Sequence, residues 1–176
     1  MNQILKFFAV VFVMTVFSVN VMGQVSANAS ATATILTPIA IAKNVDMDFG
    51  NLAVNASPGT CVLATDDSRT ATGGVTLMAG GSPAAAQFTV TGVAGVNYVI
   101  TLPSGATTVS DGLATPNTMD VDTWVSNPAG TGTLTAGTST LYVGATLNVG
   151  ASQAAGIYSS SNSGGSGDFT ITVNYQ

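Results

Sequence analysis

Two pairs of carboxylates stand at a spacing that chemistry can use. Asp46 and Asp48, and again Asp120 and Asp122, lie two residues apart. On a β-strand such residues face the same side, roughly 6.5–7 Å apart. Carboxylates near that separation can work as the acid and base of a glycosidase, or contribute oxygens to a calcium site. Calcium, however, takes about six to eight oxygens, and no spaced Asp-x-Asp-x-Asp-Gly loop occurs. The bland role, a charged strand face that discourages edge-to-edge pairing, is the expected one for both pairs.

Other chemistries fail for want of partners. Cys61 is the single cysteine, so no intrachain disulfide forms. A nucleophilic role would need a base, and the chain has no His and no Glu. A Ser-His-Asp triad is excluded, and zinc finds no ligand set. The glycine-rich stretches 144–156 and 164–167 lack the Gly-Lys-Ser/Thr of a phosphate loop. We expect no catalytic activity, no cofactor and no metal. The basic residues are Lys6, Lys43 and Arg69 against eight Asp, which argues against nucleic-acid partners and anionic lipid surfaces.

Trp124, the single tryptophan, is the remaining candidate. It shares strand parity with Asp120 and Asp122, not with Met119, Val121 and Val125. On a regular strand it would stand beside the carboxylates on the polar face. Trp124, Asp120 and Asp122 would then form a platform for a carbohydrate or a partner protein. The expected outcome is the other one, a bulge that returns the indole to the core or cover for a sheet end.

The elements that must position these residues are strands. Charged residues make up only 6% of the 176-residue chain, so its wet surface must be built from Thr, Ser, Asn and Gly. Period-2 alternation marks residues 45–49, 87–91, 97–102, 140–149 and 169–175. The last runs Phe169, Ile171, Val173 and Tyr175 on one face, Thr170, Thr172 and Asn174 on the other. Turn signals separate the runs: Ser57-Pro58-Gly59, Gly73-Gly74, Gly80-Gly81-Ser82-Pro83, Pro103-Ser104-Gly105, Asp111-Gly112 and Asn127-Pro128-Ala129-Gly130. Residues 159–168 have the composition of a flexible linker and read as a long hairpin loop. The pattern predicts an all-β fold, a two-sheet antiparallel β-sandwich of immunoglobulin-like or pilin-like kind, over residues 24–176.

Residues 1–23 read as a secretory signal peptide. Lys6 supplies the positive start, Phe7–Val19 the apolar stretch, and Val21-Met22-Gly23 the cleavage site, with the cut before Gln24. The apolar run falls short of the about 20 residues a spanning helix needs, so no membrane span is expected after cleavage. The product is expected to be exported, to the periplasm, the cell surface or the medium. Behind the leader, Val25, Ala27, Ala29, Ala31, Ala33 and Ile35 alternate with Ser26, Asn28, Ser30, Thr32, Thr34 and Leu36. The expected role of this arm is an ordinary first strand of its own domain. The alternative is a strand donated to a neighbouring subunit.

Several phrases carry a family resemblance. They are Pro38-Ile39-Ala40-Ile41, Asp46-Met47-Asp48-Phe49-Gly50, Phe88-Thr89-Val90-Thr91-Gly92 and Tyr98-Val99-Ile100-Thr101-Leu102-Pro103. Leu141 to Val149, Ala154-Ala155-Gly156-Ile157-Tyr158 and the terminal Phe169 to Tyr175 complete the set. In this order they resemble the bacterial secreted family named domain of unknown function 4402. That family is similar in turn to the spore-coat-protein-U-type domains of archaic chaperone–usher pilins. The chain departs from the pilin-type domains in lacking a Cys pair and in carrying the polar 159–168 insertion. The resemblance implies a secreted β-sandwich and brings no catalytic residues.

The resulting expectation is a secreted or cell-surface, non-catalytic structural or adhesion protein. Its expected partners are copies of itself or other surface proteins. The alternatives are a fimbrial subunit assembled through its N-terminal strand and a carbohydrate-binding module using Trp124. A small outer-membrane barrel ranks last, because aromatics for its girdles make up only 7% of the chain.

Overall fold

The computed structural model describes residues 23–176. The chain divides into two units, Met1–Ile35 and Leu36–Gln176. Of the first, residues 23–35 are described. They form neither helix nor strand, and Val25 and Ile35 are 95% and 97% exposed. The expectation of an ordinary first strand over 25–36 is therefore overturned. The physical reason is bulk: Ala and Ser side chains bury too little to offset the roughly 1–2 kcal/mol that ordering each backbone unit costs. The leader expected over 1–23 lies, Gly23 apart, outside the described residues.

The second unit is all-β and holds ten strands. They are β1 (Ala40–Val45), β2 (Leu52–Leu63), β3 (Arg69–Leu77), β4 (Ala86–Thr91), β5 (Asn97–Thr101), β6 (Thr107–Ser110), β7 (Thr118–Asn127), β8 (Thr131–Thr133), β9 (Thr138–Val149) and β10 (Thr172–Tyr175). They form two antiparallel sheets, as the alternation predicts. The larger has seven strands on the path β1-β4-β9-β2-β3, with β7 on the other flank of β9 and β6 beyond it. The smaller runs β10-β5-β8.

β9 is the spine. Leu141, Val143, Ala145, Leu147 and Val149 are buried on one face, while Thr140, Tyr142, Thr146 and Asn148 stay wet or half-wet on the other. One edge of β9 serves two strands end to end: residues 138–143 pair with β4 and 145–149 with β2. The opposite edge pairs with β7 over residues 142–148.

Two cores follow from this layout. In the first, Ala86, Val90, Leu141 and Val143 of the large sheet meet Tyr98, Ile100, Leu134, Ile171 and Val173 on the side of the small sheet. In the second, the buried residues are Cys61, Val75, Val121, Ala145, Leu147 and Val149, all from the large sheet. Each fully buried Leu or Val contributes about 1.5–3 kcal/mol. The three-stranded layer roofs the first core and contributes no buried residue to the second. Above the second lie half-buried side chains such as Met47, Phe49, Leu52 and Trp124.

Three local expectations are corrected. The turns read at Ser57-Pro58-Gly59 and Gly73-Gly74 lie inside β2 and β3, where Gly59 pairs with Gly73 beside a register shift. The glycines are needed for close backbone approach: a Cβ on Gly74 would lie 1.9 Å from the Ser57 carbonyl oxygen, and one on Gly73 2.4 Å from that of Pro58. The strand expected over 45–49 is β1 displaced toward the N-terminus. Beyond Val45 only Asp48 makes a bridge, to Ala84. The linker-like segment 159–168 is tied to β6. Ser110 and Ser159 exchange backbone bonds of 3.0 and 2.9 Å, Asn162 Nδ2 donates to the Ser110 carbonyl at 2.7 Å, and Ser110 Oγ donates to that of Ser163 at 2.7 Å.

Candidate functional site

The partial roof leaves an open cleft of about 1380 Å³ over the second core. Val121, Leu147 and Val149 line it from the large sheet. The rest of its lining comes from the segments 45–54, 153–161 and 168–171, together with Lys43, Gly81, Ala86, Phe88, Thr107, Val109, Met119 and Trp124, so polar and apolar side chains share it. Segment 168–171 leads directly into β10, the outermost strand of the small sheet, and belongs to no ladder itself. β10 itself pairs on one side only, with β5, so its other edge offers free backbone donors and acceptors.

The wall at 45–54 is held by hydrogen bonds from several directions. Asp48 and Ala84 exchange two backbone bonds of 2.9 Å. The Asp48 carboxylate accepts from the Gly50 amide at 2.7 Å. The half-buried Arg69 reaches across and donates to the carbonyls of Phe49 at 2.6 Å and Asn51 at 3.3 Å. A guanidinium presents several donors in a fixed fork, and here it satisfies carbonyls of a segment that lies outside the ladder. Gly50 sits beneath it with φ +65°, and a Cβ there would lie 2.8 Å from the guanidinium.

The three residues named as a platform are divided between two faces. β7 carries a register shift between Asp122 and Val125, with Thr123 at φ +51°. Asp122 lies opposite Thr146 and Val125 opposite Gly144, so one residue is extra on β7. The bulge turns Trp124 inward and leaves Val125 44% exposed, the reverse of the parity expected for a regular strand. The indole packs against both cores. Its ring meets Phe169 with centroids 4.6 Å apart and planes tilted by 40°, and its Nε1 donates to the Gly105 carbonyl at 3.1 Å. Asp120 and Asp122 keep the outer face. They accept from the hydroxyls of Thr108 at 2.8 Å and Thr123 at 2.9 Å.

Asp46 and Asp48 are likewise not a working pair. Asp46 forms an ion pair with Lys43, whose pKa is raised by the hydrogen bond to that carboxylate and by its charge. Asp48 is the cap of the Gly50 turn. Among the described residues, no three carboxylate or thiol groups gather as metal ligands. The cleft is what sequence reasoning missed, because segments far apart in the chain build it. The one signal for it was Trp124, whose return to the core by a bulge was the expected outcome.

Cys61 is fully buried in the second core. Burial pushes its thiol pKa up, while the charge of Arg69 pulls weakly the other way. A raised value in the folded state means that this contribution to stability is complete below the unfolded thiol's pKa of about 8.5 and is lost as pH rises through the folded value. We expect the native thiol to resist a disulfide reagent at pH 8 and to react at once in denaturant. Equal rates in the two conditions would show the thiol to be accessible.

No curated protein and no solved structure matches this chain. A family match spans residues 39–175, from the residue before β1 to the last residue of β10. On that extent the chain belongs to the family described as domain of unknown function DUF4402.

Proposed function

We propose that this is an exported, non-catalytic structural or adhesive protein that works by assembly on the cell surface, the arm 24–36 of one copy entering the cleft of the next. The observation that carries this reading is an exposed arm that holds no strand, in a chain whose domain carries an open cleft of mixed polar and apolar lining. The floor of the cleft, Val121, Leu147 and Val149, is buried beneath the half-buried side chains around it, and β10 pairs with a neighbour on one side only. The arm has the matching character. It is uncharged, alternating and unpaired. Extended at about 3.3 Å per residue it spans roughly 40 Å. Trp124 favours assembly over a carbohydrate platform, because Phe169 covers the indole and Gly105 takes its N–H.

The test compares the chain from Gln24 with the chain from Thr37. The first is expected to form polymers that survive SDS without boiling. The second is expected to remain monomeric with the same circular dichroism, since all ten strands lie within residues 40–175. Polymers from the shortened chain, or a strictly monomeric longer chain at high concentration, would overturn the reading.

A further inference from the structure

We infer that the cleft is a binding site for a small amphiphilic cation, its ammonium head at Asp168 and its apolar body against the aromatic side chains of the lining. This goes beyond the assembly reading and does not need it, because a cleft that no arm fills is open to solutes.

The lining first supplies the apolar surface. Five half-buried aromatic side chains share it, Phe49, Phe88, Trp124, Tyr158 and Phe169, in a chain of which aromatics make up only 7%. Aromatic side chains with a few placed polar groups are the ordinary wall of a small-molecule site. Their ring faces carry negative potential, so they attract a cation as well as an apolar body. The volume of about 1380 Å³ is ample for such a molecule, since drug-sized ligands occupy roughly 300–1,000 Å³.

Charge complementarity then sets the sign of the head. The ionised groups in the lining are Lys43, Asp46, Asp48 and Asp168. Lys43 feels the charge of Asp168 but is held by Asp46 in an ion pair. Asp48 caps the Gly50 turn, and Arg69 brings a positive charge to the same wall, on the carbonyls of Phe49 and Asn51. Asp168 differs from both. Its bonds come from neutral hydroxyls, of Ser160 at 3.4 Å and Ser161 at 3.0 Å, and both fall on Oδ1. The next residue is Phe169, whose ring packs on Trp124 with centroids 4.6 Å apart. One short segment therefore presents a carboxylate and an aromatic pair together. An anion would meet carboxylates and a lysine already engaged, and a neutral apolar molecule would take water from Asp168 without replacing it.

The cleft carries its own reporter, because Trp124 is the single tryptophan and lines it in a half-buried position. An apolar body laid against the indole should dry it and shift its emission to the blue.

The experiment titrates the monomeric fraction of the chain from Gln24, so its outcome does not depend on whether polymers form. The probes are decyltrimethylammonium, decyl maltoside and decyl sulfate, which share one tail and differ in charge, each kept below its micelle threshold. Circular dichroism verifies at every point that the fold is intact. The cation is expected to give a saturable blue shift, with the neutral probe about 10-fold weaker and the anion weaker still. Asp168→Asn is expected to weaken the cation about 5-fold and to leave the neutral probe unchanged. Asp122→Asn removes the same charge from the outer face and should leave the cation within about 2-fold. No shift with the cation, an anion that binds as well, or equal losses in the two variants would overturn the inference.

Discussion

Gly74→Ala is expected to cost the domain about 3 kcal/mol or more, among the largest effects of any one-methyl change in this chain. Gly74 is buried in β3, and its conformation is not the left-handed one that glycine alone prefers. The obstacle is contact. A Cβ there would meet the Ser57 carbonyl oxygen at 1.9 Å and the Asn55 side-chain oxygen at 2.5 Å. The nearest of these is backbone, and it belongs to the irregular stretch of β2 between Val54 and Gly59. Relief requires β2 and β3 to separate. That separation would disturb the ladder from Gly59 to Leu63, which carries the fully buried Cys61 and Leu63. Against a total stability of about 5–15 kcal/mol, such a loss shifts the denaturation midpoint far.

Gly105→Ala is the control. Nothing lies within 4 Å of its Cβ position and its φ is ordinary. There the change should be neutral or stabilise by about 0.4–1 kcal/mol through the unfolded chain. Similar midpoints for the two variants would mean that β2 and β3 do not approach as closely as described.

The same glycines explain where sequence reading stopped. β4, β5 and β9 were legible because their side chains alternate without interruption and each buries one face. β2 and β3 were hidden by Ser57-Pro58-Gly59 and Gly73-Gly74. A glycine that admits a neighbouring backbone and a glycine that turns the chain look alike in one dimension. At Trp124 the bulge could be argued from strand parity alone, since its left-handed residue is Thr123 and no glycine announces it. The alternation of 169–175 was real, with Ile171 and Val173 buried, yet the ladder begins only at Thr172. Its partner β5 ends at Thr101, two residues before Pro103, which has no N–H to continue the pairing.

The candidate site was less legible than the fold. Composition marked 159–168 as a linker, because hydroxyls that solvate a mobile chain are the same groups that bond to a neighbouring backbone. Against β6 Ser166 Oγ accepts from the Thr108 amide and the Asn162 side-chain amide donates to the Ser110 carbonyl, while Ser159 and Ser163 bond through their backbones. The arm was readable as an alternating strand. Whether it had a partner within its own domain depended on β10 lying at an edge and on β9 outrunning the small sheet. Both are properties of the assembled layers, and no local pattern carries them.

The first core should respond most strongly at Tyr98. It is the largest of the fully buried side chains, and its hydroxyl donates to Ser139 Oγ at 2.9 Å. Tyr98→Ala is expected to cost about 3–5 kcal/mol, as for other aromatic truncations that leave a cavity between packed sheets. The neighbouring strand is built around this ring. Gly132 on β8 pairs with Tyr98, and a Cβ on Gly132 would lie 2.4 Å from the ring Cζ and 2.5 Å from the hydroxyl oxygen. Gly132→Ala alone should therefore destabilise by about 1–3 kcal/mol through overpacking. In a Tyr98→Leu background the atoms at Cζ and Oη are gone, and the added methyl has space. The double-mutant cycle is expected to give a favourable coupling of about 1–2 kcal/mol, measured as the difference between the summed and the combined denaturation free energies. Additivity within about 0.5 kcal/mol would mean that the ring does not fill the space above Gly132, and that some other contact excludes a side chain from the centre of β8.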